Sequence, residues 1–195
     1  MDNLPPLPDK QALLRRAIPH RAGWDNGRRP GAIEPAGPGE ESVWDYPRPP
    51  TVRETVGEIE ILCADGVLAN SSRALNMVET AGAPVHYLPP EDVRTDWLVP
   101  TDHITICEWK GAAVHFDLIG PGETVRHAAF AYPDPFDDLD RGFSRIAGWF
   151  GFYPAKLACY LNGERVRPQP GGLYAGWVTD SIKGPIKGAP GTEGW

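Results

Sequence analysis

The stretch Asp102-His103-Ile104-Thr105-Ile106-Cys107-Glu108-Trp109-Lys110-Gly111 decides the fold class. Read as extended chain, it puts His103, Thr105, Cys107 and Trp109 on one side and Ile104 and Ile106 on the other, the period of two that defines a β-strand. Lys110-Gly111 breaks the pattern, and Ala112 to Ile119 reads as the next strand.

The same grammar extends outward. Downstream, Pro121-Gly122 is a turn, Thr124 to Tyr132 a strand, and Pro133-Asp134-Pro135 its stop. Upstream, Glu58 to Cys63 alternates, Asp65-Gly66 turns, and Val67-Leu68-Ala69 returns. Ser71 to Thr80 fits a short helix or an irregular strand, and the strand is preferred. Pro84 to Leu88 is a strand closed by Pro89-Pro90, and Asp96 to Val99 is another. Phe143 to Phe152 is apolar all round and reads as a short buried helix. Leu157 to Leu161, Asn162-Gly163 and Glu164 to Val166 form a hairpin with a type I′ signature. With 22 glycines and 22 prolines, long helices are scarce. The expectation is a mainly β fold of about seven to nine strands in antiparallel sheets, with one short helix.

Composition divides the chain into three. Residues 1–42 read as an irregular Pro/Gly-rich arm carrying a short helix at Lys10 to Ile18, with Leu13, Leu14 and Ile18 on one side. Residues 43–167 hold the β domain, entered through the stiff segment Trp44-Asp45-Tyr46-Pro47-Arg48-Pro49-Pro50. Residues 168–195 form a Gly/Pro-rich tail. Trp44, Trp177 and Trp195 lie in segments that build no core alone, so they are expected to bury on their own domain, in a monomer or a homodimer.

The chain has 195 residues, enough for one domain with a real core. Its net charge of -7 disfavours a protein that tracks nucleic-acid phosphate. The charge is uneven: Lys10, Arg15, Arg16, Arg21, Arg28 and Arg29 face only Asp2, Asp9 and Asp25 in the first thirty residues, which marks a basic surface arm. Cys63, Cys107 and Cys159 form no CxxC pair and no disulfide framework, which fits a reducing compartment. The start, Met1-Asp2-Asn3-Leu4-Pro5-Pro6, has no signal-peptide character, and no run reaches membrane-spanning length. A cytoplasmic protein with no membrane partner and no cofactor is expected.

Four blocks resemble the domain-of-unknown-function family 427: Ser72-Arg73-Ala74-Leu75 with Glu79-Thr80; Tyr87 to Val93; Asp102 to Gly111; and Ala131-Tyr132-Pro133-Asp134-Pro135. The resemblance covers residues 44–167, and the tail segments around Trp177 and Pro185 are similar to an extension of longer members. It implies a β-tent, two antiparallel sheets leaning together. Relatives of that fold such as methionine sulfoxide reductase B pin the sheets with zinc on paired CxxC knuckles. These are missing here, so no metal is carried over. A nucleotidyltransferase label attached to the family implies a Gly-Ser motif with spaced aspartates. The motif is not visible, and Asp137, Asp138 and Asp140 fall in a loop. Fold alone gives no reaction.

The polar residues of these blocks make the candidate site. Arg73 and Glu79 fit either a guanidinium clamp with a general base or a structural ion pair. Tyr87 and Tyr132, just before prolines, fit pocket walls or packed rings. His103 and Cys107 would make a thiolate pair only within hydrogen-bond reach. Four residues apart in a straight strand, they are separated by roughly 13 Å. Trp109 and Lys110 fit an anion site or a solvated turn with the lysine stem on the indole. The acidic loop from Asp134 to Asp140 fits a metal site or a solvated loop. His20, His86, His115 and His127 are assigned to no site. The resulting expectation is a site for a small anionic ligand, of binding or enzymatic character, lined by Arg73, Glu79, Tyr87, His103, Cys107, Trp109, Lys110 and Tyr132. The alternatives are a non-catalytic binding or assembly module and a nucleotidyltransferase-like activity.

Overall fold

In the computed structural model the chain is mainly β. The structure describes residues 3–23, 29–192 and 194–195; Arg28 of the basic leader, with Asp2, Asp25 and Gly27, lies outside them. The elements are α1 (Lys10–Arg21), β1 (Glu41–Ser42), β2 (Thr51–Glu54), β3 (Ile59–Cys63), β4 (Gly66–Ser71), β5 (Leu75–Glu79), β6 (Gly82–Leu88), β7 (Leu98–Cys107), β8 (Gly111–Ile119), β9 (Thr124–Ala131), β10 (Phe150–Phe152), β11 (Ala158–Leu161), β12 (Glu164–Arg165), β13 (Arg167–Pro168), β14 (Trp177–Val178) and β15 (Ile182–Lys183). No helix among the described residues is long and apolar enough to cross a membrane.

Two antiparallel sheets dominate: seven strands in the order β2-β5-β6-β10-β9-β8-β7, and four in the order β12-β11-β3-β4. They share a core of Ile59, Ile61 and Leu68 from the smaller sheet with Phe116, Leu118 and Phe150 from the larger. Alternation sends the intervening residues, including Tyr87, Ala113 and Phe130, into a second apolar cluster on the opposite face of the larger sheet. Two short ribbons complete the fold, β13 with β14 antiparallel and β1 with β15 parallel. The two sheets alone hold eleven strands and the ribbons bring the described total to fifteen, above the seven to nine expected, because short segments without periodicity, such as β2 and β12, still pair.

Three local readings change. The apolar run Phe143 to Phe152 is not a helix: it divides into a 3-10 turn, Phe143–Ile146, and strand β10, buried between β6 and β9. A short run that is apolar on every side fits a central strand as well as a helix, and Gly148, at φ 74, ends the turn. The α-helix is instead α1, which continues past Ile18 to Arg21 and starts at Asp9, whose Oδ1 accepts from Ala12 N at 2.7 Å. The segments Asp96 to Val99 and His103 to Trp109 belong largely to one strand, β7, with a register shift between Pro100 and Ile104. Because β7 is an edge strand, Pro100 is tolerated there. The Asn162-Gly163 turn has φ 51 and 80, as a type I′ hairpin requires.

The tail is fastened to the larger sheet by Trp177. It is 1 % exposed, packs with its ring centre 4.8 Å from that of His86 at a tilt of 48°, and donates from Nε1 to Phe152 O at 3.3 Å. His86 is buried. Asn76 Nδ2 donates to Thr55 Oγ1 at 3.3 Å, and the Thr55 hydroxyl in turn shares a hydrogen bond with His86 Nδ1 at 3.0 Å. Burial, with the nearby Arg53 charge, pushes its pKa down to about 3. The unfolded ring titrates near 6.5 and takes up a proton that the folded ring refuses. The stability this contributes is complete above 6.5 and drains away as pH falls towards 3. Urea denaturation between pH 7 and 4 should show unfolding free energy falling with acidity, by up to about 1.4 kcal/mol per pH unit from this ring. His86→Gln should flatten that slope; an unchanged slope would place the acid sensitivity elsewhere.

Candidate functional site

The tight connection from β7 to β8 positions the site. Cys107 pairs with Gly111, leaving Glu108-Trp109-Lys110 as the turn. Gly111 has φ 93, and a Cβ there would meet the Phe136 ring at 3.3 Å, so the position calls for glycine. The N-terminal arm secures the turn from outside. Arg21 Nε donates to Glu108 O at 2.6 Å, its guanidinium lies 5.4 Å from the Trp109 ring centre, and it pairs with Asp138 at 2.5 Å. Lys10 pairs with Asp134 and Asp137 at 2.8 and 3.3 Å. The acidic loop therefore anchors the arm.

Trp109 and Lys110 are consequently driven inward rather than left in solvent, at 3 % and 6 % exposure. They open on a cavity of about 480 Å³ over the outer face of the larger sheet. Glu79, Tyr87, His103, Cys107 and Tyr132 line it too, with Phe130 and Tyr153 supplying further aromatic wall. Phe130 lies 5.9 Å from Tyr87 and 5.2 Å from Tyr153 between ring centres. Arg73 does not reach the cavity. It lies on the segment between β4 and β5, exposed, and pairs with Asp92 at 2.5 Å. The expected Arg73–Glu79 pair is corrected accordingly: Glu79 meets Arg48 at 3.4 Å and Lys187 at 3.5 Å.

The polar groups at the inner end are short of acceptors. Lys110 Nζ has Met77 Sδ at 3.3 Å and sits 5.0 Å from the Tyr132 ring centre. Among the described residues no carboxylate oxygen lies within 4.0 Å of it. Burial opposes its charge, while Cys107, Tyr132 and Tyr87, which attract it only once ionised, and Glu79 act the other way and hold its pKa well above the ordinary lysine value. Tyr87 Oη and Trp109 Nε1 are buried with no hydrogen-bond partner. Burial raises the pKa of the Tyr87 and Tyr132 phenols and of the Cys107 thiol, the thiol against the opposing pull of Lys110. Cys107 is thus a protonated thiol near neutrality, not a ready nucleophile.

Several lining residues escaped the sequence reading. His115 and His127 stand with His103 at the mouth, and the pairing of Ile104 with Val114 brings His103 beside His115. Folding the strands about Trp109 would have revealed that neighbour; the two histidines are equidistant from it in the sequence. The tail supplies Gln169, Tyr174, Lys187 and Trp195. Gln169 Oε1 accepts from Ala83 N at 2.9 Å while its Nε2 donates to Lys187 O at 3.1 Å, and Lys187 lies 5.3 Å from the Tyr174 ring centre. No periodicity in a Gly/Pro-rich tail signals those contacts.

The fold and site define a mainly β protein with an aromatic, cation-bearing cavity on the outer face of its larger sheet. Residues 51–163 match the family described as a domain of unknown function, DUF427, and the protein belongs to that family. No curated protein matches the sequence.

A buried hydroxyl without a partner is a cost to the fold, so removing it should help. Tyr87→Phe is expected to raise stability by about 1 kcal/mol in chemical denaturation. A loss of that size would show that the hydroxyl has a partner inside the protein.

Proposed function

We propose that the protein binds a small organic anion, a carboxylate or phosphate carried on a flat apolar body, in the cavity beneath the Trp109 turn. One observation carries this reading: the Lys110 ammonium, the Tyr87 hydroxyl and the Trp109 indole N–H are all buried and line one cavity, Lys110 and the Tyr87 hydroxyl lie close enough to interact, and none of the three has an oxygen acceptor in full hydrogen-bond geometry. Buried donors are nearly always paired, and each orphan costs about 1–3 kcal/mol. An anionic oxygen entering here would accept from them, and a charge-assisted bond to Lys110 would be the strongest. The rings of Tyr132, Phe130 and Tyr153 offer an apolar wall for the rest of the ligand. Lys187 adds positive charge at the tail side, balanced by Glu79.

The reading is one of binding. The protonated Cys107 thiol does not favour covalent catalysis; Asp134, Asp137 and Asp138 are engaged by Lys10 and Arg21, and no aspartate of the acidic loop lines the cavity, which weighs against a nucleotidyltransferase centre. A bare assembly module has no use for a lysine ammonium held only by a thioether beside two unpaired donors in one hollow.

The experiment is a thermal-shift screen of small carboxylates and phosphates on the wild type, Lys110→Met and Arg73→Ala. A binding anion should raise the melting temperature of wild type and Arg73→Ala, and Lys110→Met should lose most of the shift. If no anion shifts the wild type, or the shift survives Lys110→Met, the anion site is wrong.

A further inference from the structure

Three histidines on three neighbouring strands meet at the cavity mouth: His103 on β7, His115 on β8 and His127 on β9. Their ring centres are 4.6 Å apart for His103–His115, 4.6 Å for His103–His127 and 5.8 Å for His115–His127. We propose that these three imidazoles bind one divalent ion of the zinc class, with a fourth coordination position open to the cavity. This does not rest on the anion reading, because none of the ligands belongs to the Lys110 end.

The spacing is right for it. Imidazole nitrogens bind zinc at roughly 2.0–2.1 Å, and tetrahedral placement then sets ring centres about 5 Å apart. His115 is the prepared ligand. It is 4 % exposed; its Nε2 meets Thr105 Oγ1 at 2.9 Å, and its Nδ1 is buried with no partner. If Nε2 carries the proton and donates to Thr105, Nδ1 presents a lone pair. A ligating histidine is typically held this way, with its other nitrogen fixed by an outer hydrogen bond. As the side chains stand, no group of three or more His, Cys, Asp or Glu among the described residues is placed to hold a metal ion, so the site forms only on ring rotation. His103 and His127 stack nearly parallel, at 10°, and His103 is exposed and His127 half-buried, so closure requires only that these two rings turn towards a fixed His115.

Two cations and one carboxylate lie closest to the three rings: Lys156, Arg126 and Asp117. The Lys156 ammonium is taken up by the carbonyls of Arg126 and His127 at 2.9 Å each, and Asp117 accepts from His127 N at 2.7 Å. A zinc-class ion is favoured over magnesium or calcium because every donor is an imidazole.

The test is titration of untagged, chelator-treated full-length protein with cobalt(II), read by its visible ligand-field band, and with zinc by calorimetry. Saturation at one equivalent per chain is expected. His115→Gln should weaken binding about 100-fold, and Thr105→Val about tenfold through the lost outer hydrogen bond. Cys107→Ser should leave affinity unchanged, with circular dichroism confirming the fold of each variant. Absence of saturable binding in the wild type overturns the proposal, as does affinity that survives His115→Gln or that falls with Cys107→Ser instead.

Discussion

Both faces of the larger sheet are apolar, and each must be kept from water; the rest of the structure answers to that constraint. The smaller sheet covers the inner face through Ile59, Ile61 and Leu68, helped by Leu4, Leu7 and Trp177 from the two ends of the chain. The outer face has no second sheet. Its cover is assembled from the Phe143–Ile146 turn, the Trp109 turn and Ala175 of the tail. Trp177 and Ala175 belong to opposite faces, so one short tail segment serves both. A cover made of pieces leaves a gap, and the cavity is that gap.

The gap is not apolar, and this separates it from a packing defect. An accidental hollow in a core is lined by aliphatic side chains and stays dry. This one has a lysine ammonium at its inner end, an ion-paired Glu79 with Lys187 at the tail side, and imidazoles at its mouth. Lys110 is held inward by backbone geometry, since Gly111 fixes the turn and Arg21 fastens the preceding carbonyl. A flexible lysine on an unsecured turn would place its ammonium in water and bury only its stem. The arm helix therefore contributes to the site without entering it.

Period-two alternation made most of the strands legible, as in His103 to Cys107 and Glu58 to Cys63, and turn chemistry located the Asn162-Gly163 hairpin. It failed at Phe143 to Phe152, where burial on both faces erases the period. For the site, the family block around Cys107 pointed to one side of the lining, because a single strand and its turn deliver His103, Cys107, Trp109 and Lys110 together. Arg73 was misplaced because sequence order does not say which way an irregular link turns, and here it turns to Asp92 beside the Pro90–Asp92 turn. His115 and His127 have no local motif; only cross-strand register joins them to His103.

The division between matched and unmatched sequence also divides the cavity. Lys110, Tyr87, Trp109 and the three histidines fall within residues 51–163, whereas Gln169, Tyr174, Lys187 and Trp195 lie beyond it. On the anion-site reading, the charged floor and the mouth come from the family domain and one wall comes from the tail. That wall is held by Gln169 to Ala83 and Lys187, by Lys187 to Ala81 and Glu79, by Trp44 Nε1 to Pro185 O, and by the Trp195–Trp44 edge contact at 5.3 Å. It also bears the most exposed apolar side chain of the lining, Leu173, at 74 %. On that reading, attraction of an anion depends on groups that the sheet carries, and discrimination among anions on the tail wall. The inner face of the larger sheet is closed by Trp177 and the smaller sheet rather than by the residues of that wall.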